Sequence, residues 1–246
     1  MTKVLAEISG LRSDTYVKNT NFAILIIQNF AKGLFMDEHI YKDRYKVTQH
    51  LVENIQIVEI QEIGYEYFDY VVIRHDESCD AQILKSLIDE YKNKETVCVI
   101  GCSSNQIEKS SLPAEIKKSF DLYCYHPCSD EDLENLVDSL LSVRTGFTHG
   151  DPQDIKNLRK DETNNLFSIK GSTCSSINEL LQIFTNSKSS QFNRYFLSVF
   201  CKKEDSKLKN SDNSLLNLEL KNIEEFAFTM VEDNSFDKIK ITILCS

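Results

Sequence analysis

The chain has 246 residues, of which 41% are hydrophobic and 27% charged, a composition typical of a globular protein with one large domain or two small ones. Its net charge of −10 argues against a nucleic-acid partner, because phosphate binding needs clustered Lys and Arg. The longest apolar run, "FAILII", is far too short to cross a bilayer, and the N-terminus lacks a signal-peptide pattern. These features predict a cytoplasmic protein whose eight cysteines are reduced thiols in a core.

The first 145 residues alternate strand and helix patterns. Short apolar runs predict strands at residues 3–8, 54–63, 68–74, 96–101 and 121–126, and the last two resemble strands buried in parallel sheets. Apolar residues at helical spacing predict helices over residues 81–92 and from Ser129 onwards, and the run over 21–35 is interpreted as a buried helix. Residues 1–145 are therefore predicted to form a Rossmann-like α/β domain with a parallel sheet.

Residues 146–246 show a different order and predict a smaller α+β domain. Helices are expected at 152–159, 176–184 and about 214–224, and strands at 166–169, 195–201, 226–231 and 238–245, with a polar, disordered loop over 202–213. Ser176 and Glu179 match a capping box for the second helix. The last strand alternates apolar residues with Lys238, Lys240 and Thr242, which predicts one packed face and one face in water.

The scarcity of glycine bears directly on nucleotide binding. The chain has seven glycines, and neither G-x-G-x-x-G nor G-x-x-x-x-G-K-[ST] occurs in it. A loop that cradles phosphates needs backbone without Cβ atoms so that the anion can approach the amides. A nucleotide site of the Gly-rich kind is therefore not expected, and no cofactor is predicted.

The stretch "GFTHGDPQDIKNL" contains two aspartates between one helical pattern and the next. Asp151 fits an N-cap, Pro152 the first helical position and Asp154 the third, where a carboxylate meets the positive end of the helix. On spacing alone, these residues indicate a helix start.

Soft metal ligands and strand-end residues give weaker signals. Zinc sites usually present C-x-x-C pairs on turns, whereas Cys98 and Cys124 fall within predicted buried strands, so no metal site is predicted. Cys128 with His126 or His149 lacks an oxyanion signature, and no catalytic residue is assigned there.

His75 and Asp76 follow a predicted parallel strand, at the sheet edge where α/β proteins bind ligands. The competing interpretation of this pair is a strand end in water.

The order of elements in the C-terminal half resembles the second domain of FtsZ, the bacterial tubulin homologue. In that family a long helix leads to an N-x-D-x-x-D loop and directly into the next helix; here the segment is His149-Gly150-Asp151-Pro152-Gln153-Asp154, with His in place of Asn. "LFSIKGS", "SINELLQIF" and the ending "EFAFTMVEDNSFDKIKITILCS" follow in the family's order. The resemblance is best over residues 145–246.

The resemblance implies half of a composite site. FtsZ binds GTP through a Gly-rich loop after its first strand and a G-G-G-T-G-T-G loop later, where this chain has "ISGLRSDTYVKNT" with one glycine and "HDESCDA" with none. In the family the loop aspartates act on the nucleotide of the neighbouring subunit. Residues 1–145 would then be a degenerate nucleotide-binding-type domain, and His149, Asp151 and Asp154 a partner-contact loop.

Two functions stay open at this stage. The first is a non-enzymatic FtsZ-like protein of cell division or the cytoskeleton that contacts FtsZ, another tubulin-superfamily protein or itself, and caps or modulates assembly. FtsZ proteins carry a terminal peptide that recruits membrane adaptors, and because this chain stops at Ser246, just after its last strand, no direct membrane binding is expected. The alternative is an unrelated α/β enzyme with a site at the strand ends near His75, Cys102 and His126.

Overall fold

A computed structural model describes residues 44–76, 78–104, 112–145, 151–160, 164–187, 191–202, 223–232 and 237–246. All of them belong to one compact unit, Asp37–Ser246. The strand predicted at residues 3–8, the helix predicted at 21–35, His149 and most of residues 202–224 lie outside the described part of the chain.

Nine strands and five helices make up the described residues. The strands are β1 (Tyr45–Val52), β2 (Ile55–Glu62), β3 (Tyr70–His75), β4 (Cys98–Ser103), β5 (Leu122–Cys124), β6 (Leu166–Cys174), β7 (Arg194–Cys201), β8 (Glu225–Glu232) and β9 (Ile239–Cys245). The helices are α1 (Ala81–Asn93), α2 (Ala114–Ser119), α3 (Asp130–Thr145), α4 (Pro152–Lys156) and α5 (Ile177–Ser187).

The strands form one sheet in the order β1-β2-β3-β4-β5-β6-β9-β7-β8. β3, β4, β5 and the start of β6 run parallel, and β1 and β2 add an antiparallel hairpin at one edge. β9 lies antiparallel between β6 and β7, and β8 runs parallel to β7. The predicted fold class is confirmed: a parallel α/β part precedes a part with mixed strand directions.

The two parts of the sheet meet where β5 pairs with β6. Tyr123 is aligned with Leu166 and Cys124 with Phe167, and beyond these pairs β6 turns to β9 as its partner. The division into domains at residues 145 and 146 remains a prediction.

Helices pack on both faces of the second part of the sheet. On one face, Leu180 and Phe184 of α5 pack in a core with Ile239, Ile241 and Ile243 of β9. Because neighbouring residues of a strand point to opposite faces, the even-numbered residues of β9 face the other way. On that face lies α3, which packs against β6, β7, β8 and β9.

The prediction that one face of β9 lies in water is therefore wrong. Thr242 and Leu244 are fully buried, and Lys240 reaches Asp138 of α3. The second face accepts polar residues because the helix above it is itself polar there. The alternation of apolar and polar residues correctly indicated that β9 has two different faces. It wrongly placed water against the polar face, where α3 lies.

Strand and helix boundaries show where local patterns were insufficient. The edge strand β1 was not predicted, and its residues 47–50 are all half-buried, so no apolar alternation marks them. β6 extends to Cys174, five residues beyond the predicted end, because β9 continues to pair with it.

No helix among the described residues is long and apolar enough to cross a membrane.

Candidate functional site

The start of α4 is a reciprocal capping box. The Asp151 side chain accepts a hydrogen bond from the Gln153 amide at 2.9 Å, and Asp154 accepts one from the Asp151 amide, also at 2.9 Å. Pro152 occupies the first turn, where its missing N–H costs nothing. The predicted helix start is confirmed, and both carboxylates are engaged in it.

The rest of α4 is held firmly against the body of the protein. Ile155 is fully buried, and the helix packs on α3 and β4. At its C-terminal end, Arg194 of β7 donates to the carbonyls of Asn157 at 2.6 Å and Arg159 at 3.3 Å, which places a cation at the negative end of the helix. Asp151 is exposed on this anchored support, and Asp154 is half-exposed.

The loop between β3 and α1 uses its own carboxylates to bind its amides. Asp76 accepts hydrogen bonds from the amide and hydroxyl of Ser78, both at 2.7 Å. Asp80 caps α1 by accepting from the amides of Gln82 at 2.7 Å and Ile83 at 3.3 Å. Amides at a helix N-terminus are the groups that bind phosphate in nucleotide sites, and here the chain itself occupies them with two negative charges.

The N-terminus of α3, at the same edge of the sheet, is also self-capped. Ser129 and Asp132 bond reciprocally: the Ser129 amide donates to the Asp132 carboxylate at 3.0 Å, and the Asp132 amide donates to the Ser129 hydroxyl at 3.1 Å. Asp130 and Glu131 add two more acids to this first turn, and Asp130 pairs with Arg74 of β3. This end of the helix is therefore negatively charged, which disfavours an anionic ligand.

His75 is a buried residue with both ring nitrogens bonded. Its Nδ1 lies 3.1 Å from the carbonyl of Asp76, which can only accept, so Nδ1 carries the proton. Its Nε2 then accepts from the Tyr123 hydroxyl at 2.9 Å. The interpretation of His75 as a strand end in water is wrong, because Tyr123 from β5 and the turn after β3 enclose it.

Stability should fall at mildly acidic pH because of this histidine. Burial lowers the pKa of His75 below its usual value of 6.5, with a smaller opposing effect from the hydrogen bond to Asp76. Between the lowered pKa and about 6.5, only the unfolded chain takes up the proton. The contribution of His75 to the free energy of unfolding is therefore fully present above about pH 6.5 and is lost as the pH falls toward the lowered pKa. Urea unfolding at about pH 7.5 and 5.5 should show this decrease.

The His75→Gln variant should lose less stability over the same pH interval than the wild type. Burial also lowers the pKa of His50, so a residual decrease is expected in this variant. An identical pH dependence in the two proteins would contradict the assignment to His75.

Cys102 and His126, the other members of the alternative enzyme site, have hydrogen-bond partners of their own among the described residues. Cys102 is fully buried, and its hydrogen bond to Cys128 and the burial of Cys128 raise the pKa of the Cys128 thiol. His126 is half-buried, donates from Nδ1 to the Pro127 carbonyl at 2.9 Å and accepts at Nε2 from the Ile169 amide at 3.2 Å. These bonds hold His126 toward β6, and among the described residues none joins it to His75 or Cys102.

The prediction that the cysteines lie in the core is confirmed for most of them. All eight are free thiols, and seven of them are buried, including Cys98 and Cys124 within their strands. In the part of the chain that the structure describes, no group of three or more His, Cys, Asp or Glu side chains is placed to hold a metal.

A polar groove that sequence reasoning missed lies beside α3. It has a volume of about 540 Å³ and is lined by Glu131, Glu134, Asn135, Ser172, Thr173 and Lys240. These residues come from α3, β6 and β9, and Asp138 and Lys240, which form its ion pair, are 102 positions apart. No local pattern could have joined them, because the pairing exists only once α3 crosses the sheet.

Comparison with solved structures finds similarity in fold to several CetZ proteins. CetZ from Methanosaeta thermophila strain DSM 6194 matches with 10% sequence identity and a TM-score of 0.49, over 73% of this chain and 62% of that one. The GDP-bound CetZ1 monomer from Haloferax volcanii matches with 10% identity and a TM-score of 0.45, over 73% and 64%.

A GTPγS-bound protofilament of CetZ2 from Haloferax volcanii matches with 7% identity and a TM-score of 0.36, over 71% of this chain and 53% of that one. The chain thus spans less than two thirds of the length of each of these proteins. No protein-family model and no curated protein matches the sequence. These similarities concern the fold alone.

Proposed function

We propose that this protein is a non-enzymatic, FtsZ-like interaction protein that engages the cell-division or cytoskeletal machinery without binding GTP. Its partner is FtsZ, another tubulin-superfamily protein or a second copy of this chain, and the contact is made by the loop of His149, Asp151 and Asp154. The protein caps or modulates assembly of that partner.

The observation that carries the proposal is the self-occupied loop between β3 and α1. The resemblance to FtsZ puts a phosphate-binding loop at this position, yet the amides of Ser78, Gln82 and Ile83 already bond to Asp76 and Asp80. A triphosphate would have to displace both carboxylates and then meet their charge at short range. The other phosphate-binding loop of the family corresponds to residues outside the described part of the chain.

The contact loop supports an interaction role through its rigidity. Asp151 and Asp154 are fixed in a capping box on a helix that Arg194 and the core hold in place, so two carboxylates are displayed at a defined position. A subunit with this loop and no nucleotide pocket could add to one end of a filament but offer no nucleotide face to the next subunit. Because head-to-tail contacts propagate only when each subunit carries both surfaces, such an addition stops growth.

The purified protein should neither bind nor hydrolyse GTP. Calorimetric titration with GTP and Mg²⁺ should give no saturable heat, while a GTP-binding FtsZ in the same buffer serves as the positive control. Micromolar affinity for GTP would refute the proposal, because it would require amides that Asp76 and Asp80 occupy.

A pull-down with FtsZ from the same cells tests the partner. The tagged protein should retain FtsZ loaded with GTP, and it should shorten or cap its filaments at substoichiometric ratio. The proposal would be refuted if the tagged protein retained no tubulin-superfamily protein and left the filament lengths unchanged.

A further inference from the structure

We propose that Cys102 and Cys128 form a reversible disulfide when the protein reacts with a low-molecular-weight disulfide such as oxidised glutathione. Cys102 lies near the end of β4, and Cys128 lies in the turn between β5 and α3. The bond would therefore tie this turn to β4. The site is separate from the α4 loop, and it does not depend on the proposed function.

The fold holds the two thiols in contact. The amide of Cys128 donates a hydrogen bond to the carbonyl of Ser103 at 2.8 Å, which places the turn beside the end of β4. The thiols of Cys128 and Cys102 are hydrogen-bonded to each other, and both residues are fully buried. Because a disulfide requires two cysteines that face each other at short range, a small approach of the two sulfurs is enough to form it.

Cys124 is a third thiol in this neighbourhood. Burial and, to a smaller extent, the nearby Cys128 raise the pKa of the Cys124 thiol. Its sulfur lies 3.7 Å from each nitrogen of the His126 ring. Cys124 thus contacts a different group, and Cys102 with Cys128 is the pair that shares a hydrogen bond between thiols.

The oxidation consists of two thiol–disulfide exchanges. In the first, the thiolate of one cysteine attacks a sulfur of oxidised glutathione, forms a mixed disulfide and releases one glutathione thiolate. In the second, the other cysteine loses its proton and attacks the protein sulfur of the mixed disulfide, so that the Cys102–Cys128 bond forms and the second glutathione leaves. The two cysteines lose two electrons and two protons, and the oxidised glutathione takes up both electrons and both protons to become two thiols.

Burial determines when this reaction begins. The hydrogen bond to Cys102 and burial raise the pKa of the Cys128 thiol, and the charge of Arg74, which is aligned with Cys102 in β3, lowers it by a smaller amount. The closed pair is therefore protonated and shielded from glutathione, and exchange begins when the turn opens transiently. When the turn closes again, the proximity of the two sulfurs favours the step that forms the protein disulfide.

Treatment of the full chain with oxidised glutathione tests the proposal. After acid quenching and denaturation, the oxidised protein should have two fewer free thiols than the reduced protein, and peptide mapping by mass spectrometry should identify the Cys102–Cys128 bond. The urea midpoint should rise by about 1 M, because the cross-link restricts the unfolded chain. Dithiothreitol should reverse both changes.

The Cys102→Ala and Cys128→Ala variants should each lose the protein disulfide and the stabilisation on oxidation. Cys124→Ala is the matched control, because it removes a buried thiol beside the pair, and it should form the bond as the wild type does. Thermal unfolding under reducing conditions verifies that each variant is folded. The proposal is overturned if peptide mapping of the oxidised wild type finds only glutathione adducts, a bond between other cysteines or no change, and this result does not depend on any variant.

Discussion

The Lys240→Met variant should lose about 3 kcal/mol of unfolding free energy. Lys240 lies 2.6 Å from Asp138, whose side chain is only 4% exposed, and removing the cation leaves a carboxylate buried under α3 without its charge partner. Breaking a buried pair in this way costs more than the pair contributes, because the remaining charge keeps its full desolvation penalty. Urea unfolding at neutral pH measures the loss from the shift in midpoint.

A second ion pair provides the matched control. Lys202 lies 3.1 Å from Asp237, whose side chain is 98% exposed, so Lys202→Met should change stability little. Adding Asp138→Asn to Lys240→Met should restore part of the lost stability, since the uncompensated charge then disappears. If both lysine variants lost the same small amount, the Lys240–Asp138 pair would be no more than a surface contact.

The Asp151→Ala/Asp154→Ala variant should weaken binding to a GTP-loaded FtsZ at least tenfold and lose about 1 kcal/mol of stability through its lost cap. The two carboxylates are proposed to face the neighbouring subunit, so their removal affects the interface more than the fold. Binding can be followed by filament co-sedimentation, and stability by urea unfolding.

Two further variants separate the cap from the charge. Asp80→Ala removes the N-cap of α1 at a similar cost in stability, and it should leave partner binding unchanged. Asp151→Asn preserves a good N-cap but removes the charge, so it should bind weakly while remaining stable. Wild-type binding by the double alanine variant would make Asp151 and Asp154 helix caps only.

Local patterns predicted most of the fold. Alternating or apolar runs located β2 to β5 and β7 to β9, and the apolar stripe of α1 and the capping residues of α4 gave both helices correct starts. These features follow from neighbouring residues alone, and so they can be read without the tertiary structure.

The errors concern features that depend on distant residues. The burial of Thr242 depends on α3, about a hundred positions earlier, and the enclosure of His75 depends on Tyr123 of β5. The edge strand β1 has half-buried residues on both faces, which gives no periodic signal. The polar groove could not be predicted, because its lining residues come from α3, β6 and β9 and meet only in the folded chain.

The rates at which a reagent modifies the individual cysteines can report local opening motions of the protein. Cys79 is the half-buried thiol, and the other seven are buried, out of reach of a reagent in solution. Burial also raises the pKa of Cys245 to about 11, which keeps that thiol in the unreactive protonated form. A maleimide dye added to the native protein should therefore modify Cys79 first, although burial and the neighbouring Asp76 and Asp80 also raise its pKa. The rate of modification of each of the other seven cysteines reports how often the surrounding part of the sheet opens. Cys102 in β4 reports the opening of the first part of the sheet, and Cys201 in β7 reports that of the second.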